Sequence, residues 1–253
     1  MKATFVQYAR PPITAMIVGA TPEEMISEIV DALYDGADAL GLQLCGLRKE
    51  YRNEETLREI FAACEGRPIY MTSYRGAHSV DLTDEERAEL LLLGLKSGGT
   101  LCDVMGDLFH PEPHEMTFDE EAVAKQKALI DKIHEMGGEV LMSAHLHAFF
   151  EEEDIVRFAK AQVERGADVV KLVSFAQTEE QMMADVNIIH RLKKELDKPF
   201  LFLANGPWCR FIRQAGPALG VCMYLGVTRH KPSRTPEQPT VQALKAIRDH
   251  MLY

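Results

Sequence analysis

No run of 18 apolar residues occurs in the chain, and the leucine run 90–93 is interrupted by Gly94 and Lys96. A helix spanning a bilayer needs about 20 apolar residues, so no membrane span is expected. The opening residues MKATFVQYARPP hold no apolar stretch of the length an export signal requires, and none is expected there. Cysteine is scarce and odd in number, five in all at 45, 64, 102, 209 and 222, with no C-x-x-C spacing. That counts against a disulfide framework and a cysteine zinc site, and it suits a reduced, cytoplasmic setting. Positive charge is short as well. Lys and Arg total 28 against 39 Asp and Glu, a net charge of −11, which argues against nucleic acid or an anionic membrane as partner. An enzyme acting on a small anion would then need a local positive pocket. A G-x-G-x-x-G turn is also missing, which disfavours an open, doubly wound dinucleotide-binding sheet.

What the sequence does contain is an uninterrupted alternation. Short β-rich apolar runs fall at 14–18, 39–44, 69–73, 101–105, 140–145, 169–175, 200–205 and 221–226. Between them lie stretches of helical period, such as 23–35, 84–96, 119–136 and 179–196. Thr21, Thr83, Thr117 and Thr178 each stand three residues before a Glu or Gln, the spacing of a helix-opening capping box. The segments Gly36-Ala37-Asp38 and Gly166-Ala167-Asp168 both end a helix and open a strand, 130 residues apart. That is about half the chain, as expected for the second and sixth strands of eight. With 253 residues against the roughly 250 typical of such barrels, the expectation is a single α/β domain over 1–253, a (β/α)8 TIM barrel.

In a barrel of this kind, chemistry sits at the carboxyl ends of the strands. The sixth strand reads Asp168-Val-Val-Lys171-Leu-Val-Ser174. Period-two alternation that sends Val170 and Leu172 to the helices sends Lys171 inward. A desolvated lysine loses its preference for the ammonium form, and a neutral amine attacks ketones and aldehydes. A lysine that snorkels to solvent or pairs with an inward carboxylate is the plainer alternative. On the fifth strand, Leu141, Ser143 and His145 share one face, with His145 at the carboxyl end. Neighbouring strands lie about 4.8 Å apart, so His145 is expected to meet Lys171 across the mouth and shuttle protons. After the seventh strand, Arg213 and a helix start are placed to hold an anion, although a surface arginine is the simpler reading. The polar segment 231–239, with its prolines and Gln238, suits a lid.

Together these segments resemble type I 3-dehydroquinate dehydratase, over nearly the whole chain. The family's Ser-x-His is met by Ser143 and His145, and its Gly-Ala-Asp–strand–Lys pattern by Gly166 to Lys171. Gly206 and Arg213 meet the pattern after the seventh strand, and Pro236-Glu-Gln238 meets the closing Pro-x-Gln. The resemblance implies a hydro-lyase of the shikimate pathway, serving aromatic amino acid biosynthesis. It implies a lysine imine with the substrate, no metal and no other cofactor, and a homodimer. The roles fall on Lys171 as nucleophile, His145 as proton carrier, and Arg213 and Gln238 as holders of the substrate carboxylate.

The pattern is also broken in places. The family's Glu-x-Arg on the second strand is Gly41-Leu42-Gln43 here, and its third-strand Thr-x-Arg ends at Tyr74, followed by Arg75 and His78. Asn205 stands for Met, Ile212 for Ser and Arg234 for Ser. Gln43, Tyr74, Arg75, His78, Asn205 and Arg234 are therefore the expected substitutes for the usual substrate contacts. Three further readings stay open on the sequence alone. One is an imine-forming lyase or aldolase for a different hydroxylated keto acid. Another is a binding or regulatory barrel without turnover. The third is a metal-dependent barrel using His145, His147, His110, His114 and Asp103, which would leave Lys171 unexplained.

Overall fold

The computed structural model describes residues 4–8, 10–76, 79, 81–231 and 236–251. Strands β1 (Ile13–Ile17), β2 (Ala39–Gln43), β3 (Ile69–Thr72) and β4 (Leu101–Met105) form the first half. Strands β5 (Glu139–His145), β6 (Val169–Phe175), β7 (Phe200–Asn205) and β8 (Tyr224–Gly226) form the second. Helices α1 (Pro22–Tyr34), α2 (Glu54–Ala62), α3 (Asp84–Lys96) and α4 (Glu120–Glu135) alternate with the first set. Helices α5 (Glu152–Glu164), α6 (Glu179–Glu195), α7 (Cys209–Leu219) and α8 (Val241–His250) alternate with the second.

The strands make one parallel sheet in the order β7-β6-β5-β4-β3-β2-β1-β8. A β7–β8 ladder, which would close the barrel expected from the sequence, is not among the described pairings. The reason is length. The last strand covers three residues rather than 221–226, and its pairing goes to β1. One backbone hydrogen bond, from the Cys222 N–H to the Phe200 carbonyl at 2.8 Å, links the two ends of the sheet.

Three of the four expected threonine caps form: Thr21, Thr83 and Thr178 accept from the N–H groups of Glu24, Glu86 and Gln181. The fourth does not. Helix α4 begins two residues later, capped by Asp119 on the Ala122 N–H, while the Thr117 hydroxyl accepts from the Asp119 N–H and bonds His110. The repeated Gly-Ala-Asp segments do the same work in each half. Asp38 accepts from the Ile13 N–H and Asp168 from the Val140 N–H, both at 2.9 Å, so each carboxylate ties its strand to the one before. One apolar cluster packs α1 to α4 against the first strands, and a second packs α5 to α7 against β5 to β8.

Candidate active site

A cavity of about 190 Å³ opens at the carboxyl ends of the strands. Seven of the residues singled out from the sequence line it: Lys171, His145, Arg213, Gln238, Gln43, Tyr74 and Asn205. Met16, Val173, Leu203 and Leu225 supply the apolar wall. Two larger depressions, of about 430 and 540 Å³, lie elsewhere. Of their cations, Arg52 pairs with Asp81, Arg229 with Asp31 and Lys231 with Glu28, and neither depression holds a buried amine.

Lys171 is 3% exposed, at the middle of an entirely buried stretch of β6. The side-chain amide of Gln162 on α5 clamps its main chain, accepting from the Lys171 N–H at 3.1 Å and donating to its carbonyl at 3.2 Å. The lysine Nζ lies 2.5 Å from the Tyr74 hydroxyl, 3.1 Å from that of Tyr70 and 3.4 Å from Asp103 Oδ2. Both phenols also donate to Asp103 Oδ2, and Ser143 donates to Oδ1 at 2.5 Å. Burial lowers the Lys171 pKa from its ordinary 10.5, and the Asp103 carboxylate opposes that fall in part. Burial, then Asp103, raises Tyr70 and Tyr74 well above 10, so both remain phenols.

His145 is opposite Val173 in the β5–β6 register, two residues beyond the Ser143–Lys171 pair. Among the described residues it makes no hydrogen bond to Lys171. The Tyr74 ring and the imidazole meet edge to face, centroids 5.0 Å apart, and the same tyrosine bonds the lysine Nζ through its hydroxyl. The histidine is held by Glu115, whose Oε2 lies 2.6 Å from Nδ1 and accepts from the His145 N–H at 3.1 Å. Burial pushes the Glu115 carboxyl up, but hydrogen bonding and charge from His145 outweigh it and hold the pKa at about 2. Glu115 itself has φ of 49°, a left-handed conformation that a glutamate keeps only where its contacts over-determine it.

Arg213 reaches the site because it belongs to the buried face of α7, together with Cys209, Ile212, Gly216 and Pro217. The chain turns into this helix at Gly206, with φ of 89° and no room for a Cβ against the Ala176 carbonyl. Its Nε donates to the Ala204 carbonyl at 2.8 Å and its Nη2 to Asn205 Oδ1 at 2.6 Å. Nη1, also buried, has no hydrogen-bond partner among the described residues, and neither has Oε1 of Gln238. On the second strand, a side chain at Gly41 would collide with the Met16 sulfur and crowd the Tyr70 ring. The space of the charged residue expected there is thus taken by a thioether and a phenol.

Arg75 does not line the cavity. Its guanidinium bonds Asp84 at 2.5 and 3.0 Å and Asp107 at 2.8 Å, which ties the end of β3 to α3. His78 and Arg234 lie outside the described residues. Among those described, no group of three or more His, Cys, Asp and Glu side chains is placed to hold a metal ion. Sequence reasoning missed Tyr70 and Glu115 and took Asp103 only as a metal candidate. Asp103, an acid inside the apolar run Leu101-Cys-Asp-Val-Met105, carried the same signal that marked Lys171.

Fold and site together define a class, an α/β enzyme working at the carboxyl ends of a parallel sheet around a buried amine. The type I 3-dehydroquinase profile matches residues 13–251, and the chain belongs to that family, one of hydro-lyases that act through a lysine imine. Comparison with curated proteins finds no match. Among solved structures, the chain resembles 3-dehydroquinate dehydratase from Geobacillus kaustophilus HTA426, with a TM-score of 0.81 at 18% identity over 96% of this chain and 91% of that one. It resembles the type I enzyme from Clostridium difficile, with covalently modified comenic acid, at a TM-score of 0.79 and 18% identity over 96% and 93%. The enzyme from Enterococcus faecalis gives 0.80 at 15% identity over 99% of each chain. At these identities the structural likeness speaks for the fold, and the profile for the family.

Proposed function

We propose that this chain dehydrates 3-dehydroquinate to 3-dehydroshikimate through an imine on Lys171. The observation that carries the reading is a buried amine facing the same cavity as an arginine whose Nη1 has no partner among the described residues. Arg213, with Gln238, holds the substrate carboxylate, and charge-assisted pairing fixes the ring against Lys171. The neutral amine adds to the ketone and water leaves. The resulting iminium withdraws electrons from the adjacent C–H bond. With its Nδ1–H donated to the Glu115 carboxylate, His145 presents Nε2 as base and takes the proton from that C–H bond. The enamine electrons then expel the β-hydroxyl, which leaves as water with the proton from His145. Hydrolysis of the iminium releases the conjugated enone and restores Lys171. The reaction so written needs no metal and no other cofactor.

The same reading takes residues 1–253 as one catalytic domain and the sheet as a closed (β/α)8 TIM barrel, supported by the Cys222–Phe200 link. It carries with it a cytoplasmic homodimer in the shikimate pathway, with a small carboxylate as substrate and no nucleic-acid or membrane partner. No helix among the described residues is long and apolar enough to cross a membrane.

A second reading has its own support. Gly41, Met16 and Gln43 leave no charged pair on the second strand, so the lyase is tuned to a keto acid less hydroxylated than 3-dehydroquinate. Borohydride trapping with 3-dehydroquinate and other keto acids, with mass analysis of the labelled peptide, separates the two. A Lys171 adduct together with enone from 3-dehydroquinate is expected. A Lys171 adduct with another keto acid alone would favour the second reading, and labelling that persists in Lys171→Ala would overturn both.

A further inference from the structure

We propose that Tyr74 and Asp103 form a proton relay for Lys171, with Asp103 storing the proton that the amine releases before attack and needs again to expel water. The relay rests on the lysine-imine reading above. It is motivated by a cluster that a nucleophile alone would not need. One carboxylate oxygen, Asp103 Oδ2, accepts from two phenols that both reach the same Nζ, and the other oxygen is occupied by Ser143.

Position selects Tyr74 over Tyr70 as the carrier. Tyr70 is fully buried and is absent from the cavity wall, whereas Tyr74 lines the cavity and lies 2.5 Å from Nζ. Only Tyr74 therefore touches both the amine and the space where a carbinolamine oxygen would sit. Position also sets His145 aside for this step, because among the described residues it bonds Glu115 and makes no hydrogen bond to the lysine.

The charge balance supplies the driving argument. An ammonium and a carboxylate that are both desolvated carry a penalty that their attraction only partly repays. Passing a proton from Nζ to the Tyr74 oxygen, while the Tyr74 proton moves to Asp103 Oδ2, converts two buried charges into none. The neutral amine then attacks the ketone carbon. A C–N bond forms, and one N–H proton moves to the former carbonyl oxygen, giving an uncharged carbinolamine. For its dehydration the stored proton returns from Asp103 through Tyr74 to the hydroxyl. The C–O bond breaks, water leaves, and the iminium cation forms beside the restored Asp103 carboxylate. Hydrolysis of the product iminium runs the same transfers in reverse. The phenol ends each transfer as a phenol, in keeping with its strongly raised pKa.

The test is single-turnover borohydride trapping on Lys171 with 3-dehydroquinate, comparing the unaltered protein with Tyr74→Phe and Asp103→Asn. The relay predicts that both variants form the imine about a hundredfold more slowly, the usual scale for loss of a positioned proton carrier. A purely electrostatic pair predicts otherwise for Asp103→Asn. Without its counter-charge the amine is more easily neutral, and imine formation holds or quickens. Trapping within about threefold of the parent in either variant overturns the relay. A second measurement needs no substitution. Trapping rates of the unaltered protein in mixtures of light and heavy water should curve downward with deuterium content, because more than one proton moves at once. A straight line overturns the relay while leaving the imine in place. Absence of any Lys171 adduct in the unaltered protein removes the imine reading, and the relay with it.

Discussion

At the scale of single residues, the two ends of the cavity are prepared in different ways. Arg213 is oriented before any substrate arrives, because the Ala204 carbonyl and the Asn205 side chain take Nε and Nη2 and leave Nη1. Replacing it with lysine keeps one charge but loses the fork, so Arg213→Lys should raise KM about tenfold or more with a smaller change in kcat. His145 is prepared by Glu115, which fixes the tautomer through Nδ1. In Glu115→Gln the amide can present either an oxygen or an NH2 to the ring, so the reactive tautomer is no longer enforced. We expect kcat to fall by about ten- to a hundredfold, with KM little changed. Steady-state kinetics following the enone would check both variants. A kcat for Glu115→Gln equal to the parent's would show that His145 needs no help from the loop.

At the scale of elements, the placement of Lys171 depends on a helix that never touches substrate. The Gln162 amide of α5 satisfies both main-chain groups of Lys171 in a site closed to water. Gln162→Leu keeps the volume but leaves a buried N–H and C=O to find other partners, at a cost of about 1–3 kcal/mol for each group left unsatisfied. The variant should unfold at lower denaturant and trap substrate more slowly. Unchanged stability would mean that the strand ladder already suffices. Alternation and caps were readable in the sequence because period, helix-opening threonines and Gly-Ala-Asp junctions are local signals. Thr117 misled because its hydroxyl is claimed by its own loop, and Asp119 begins the helix instead. Lys171 and His145 were legible as polar groups on apolar strands. Glu115 was not, since a turn brings it to β5 from 30 positions away and no spacing announces it. Tyr70 lies inside the apolar run 69–73 with nothing to single it out, and only the fold shows that its hydroxyl meets Asp103. Arg75 read as a substrate contact, yet nearby acids on α3 and after β4 claim it.

At the scale of the whole molecule, two carboxyls, one partly and one fully buried, set opposite slopes of stability against pH. Glu115, held at about 2 against an ordinary 4.5, stabilises the fold above that ordinary value and loses its contribution as pH falls from 4.5 toward 2. Asp185 of α6 works the other way. It is fully buried, its oxygens have no partner of good geometry among the described residues, and burial, opposed only by Ser174, pushes its pKa from 3.8 to about 7. A raised carboxyl binds more protons folded than unfolded, so its effect on stability is most favourable below 3.8 and declines as pH rises toward about 7. Each tenfold difference in proton affinity between the folded and unfolded chain is worth about 1.4 kcal/mol, so the decline amounts to roughly 4 kcal/mol. The net charge of −11 adds repulsion in the same direction, spread over many exposed groups and screened by salt. The two contributions are separable. Urea unfolding at about pH 5 and pH 8 should show the parent losing about 3 kcal/mol through this group, the part of the decline that lies above pH 5, and Asp185→Asn losing much less. The asparagine carries its own cost as a poorly bonded buried amide, so the difference between the two pH values, not stability at either one, is the decisive quantity. Equal losses in parent and variant would show that Asp185 ionises without penalty and that the falling limb belongs to the surface charge.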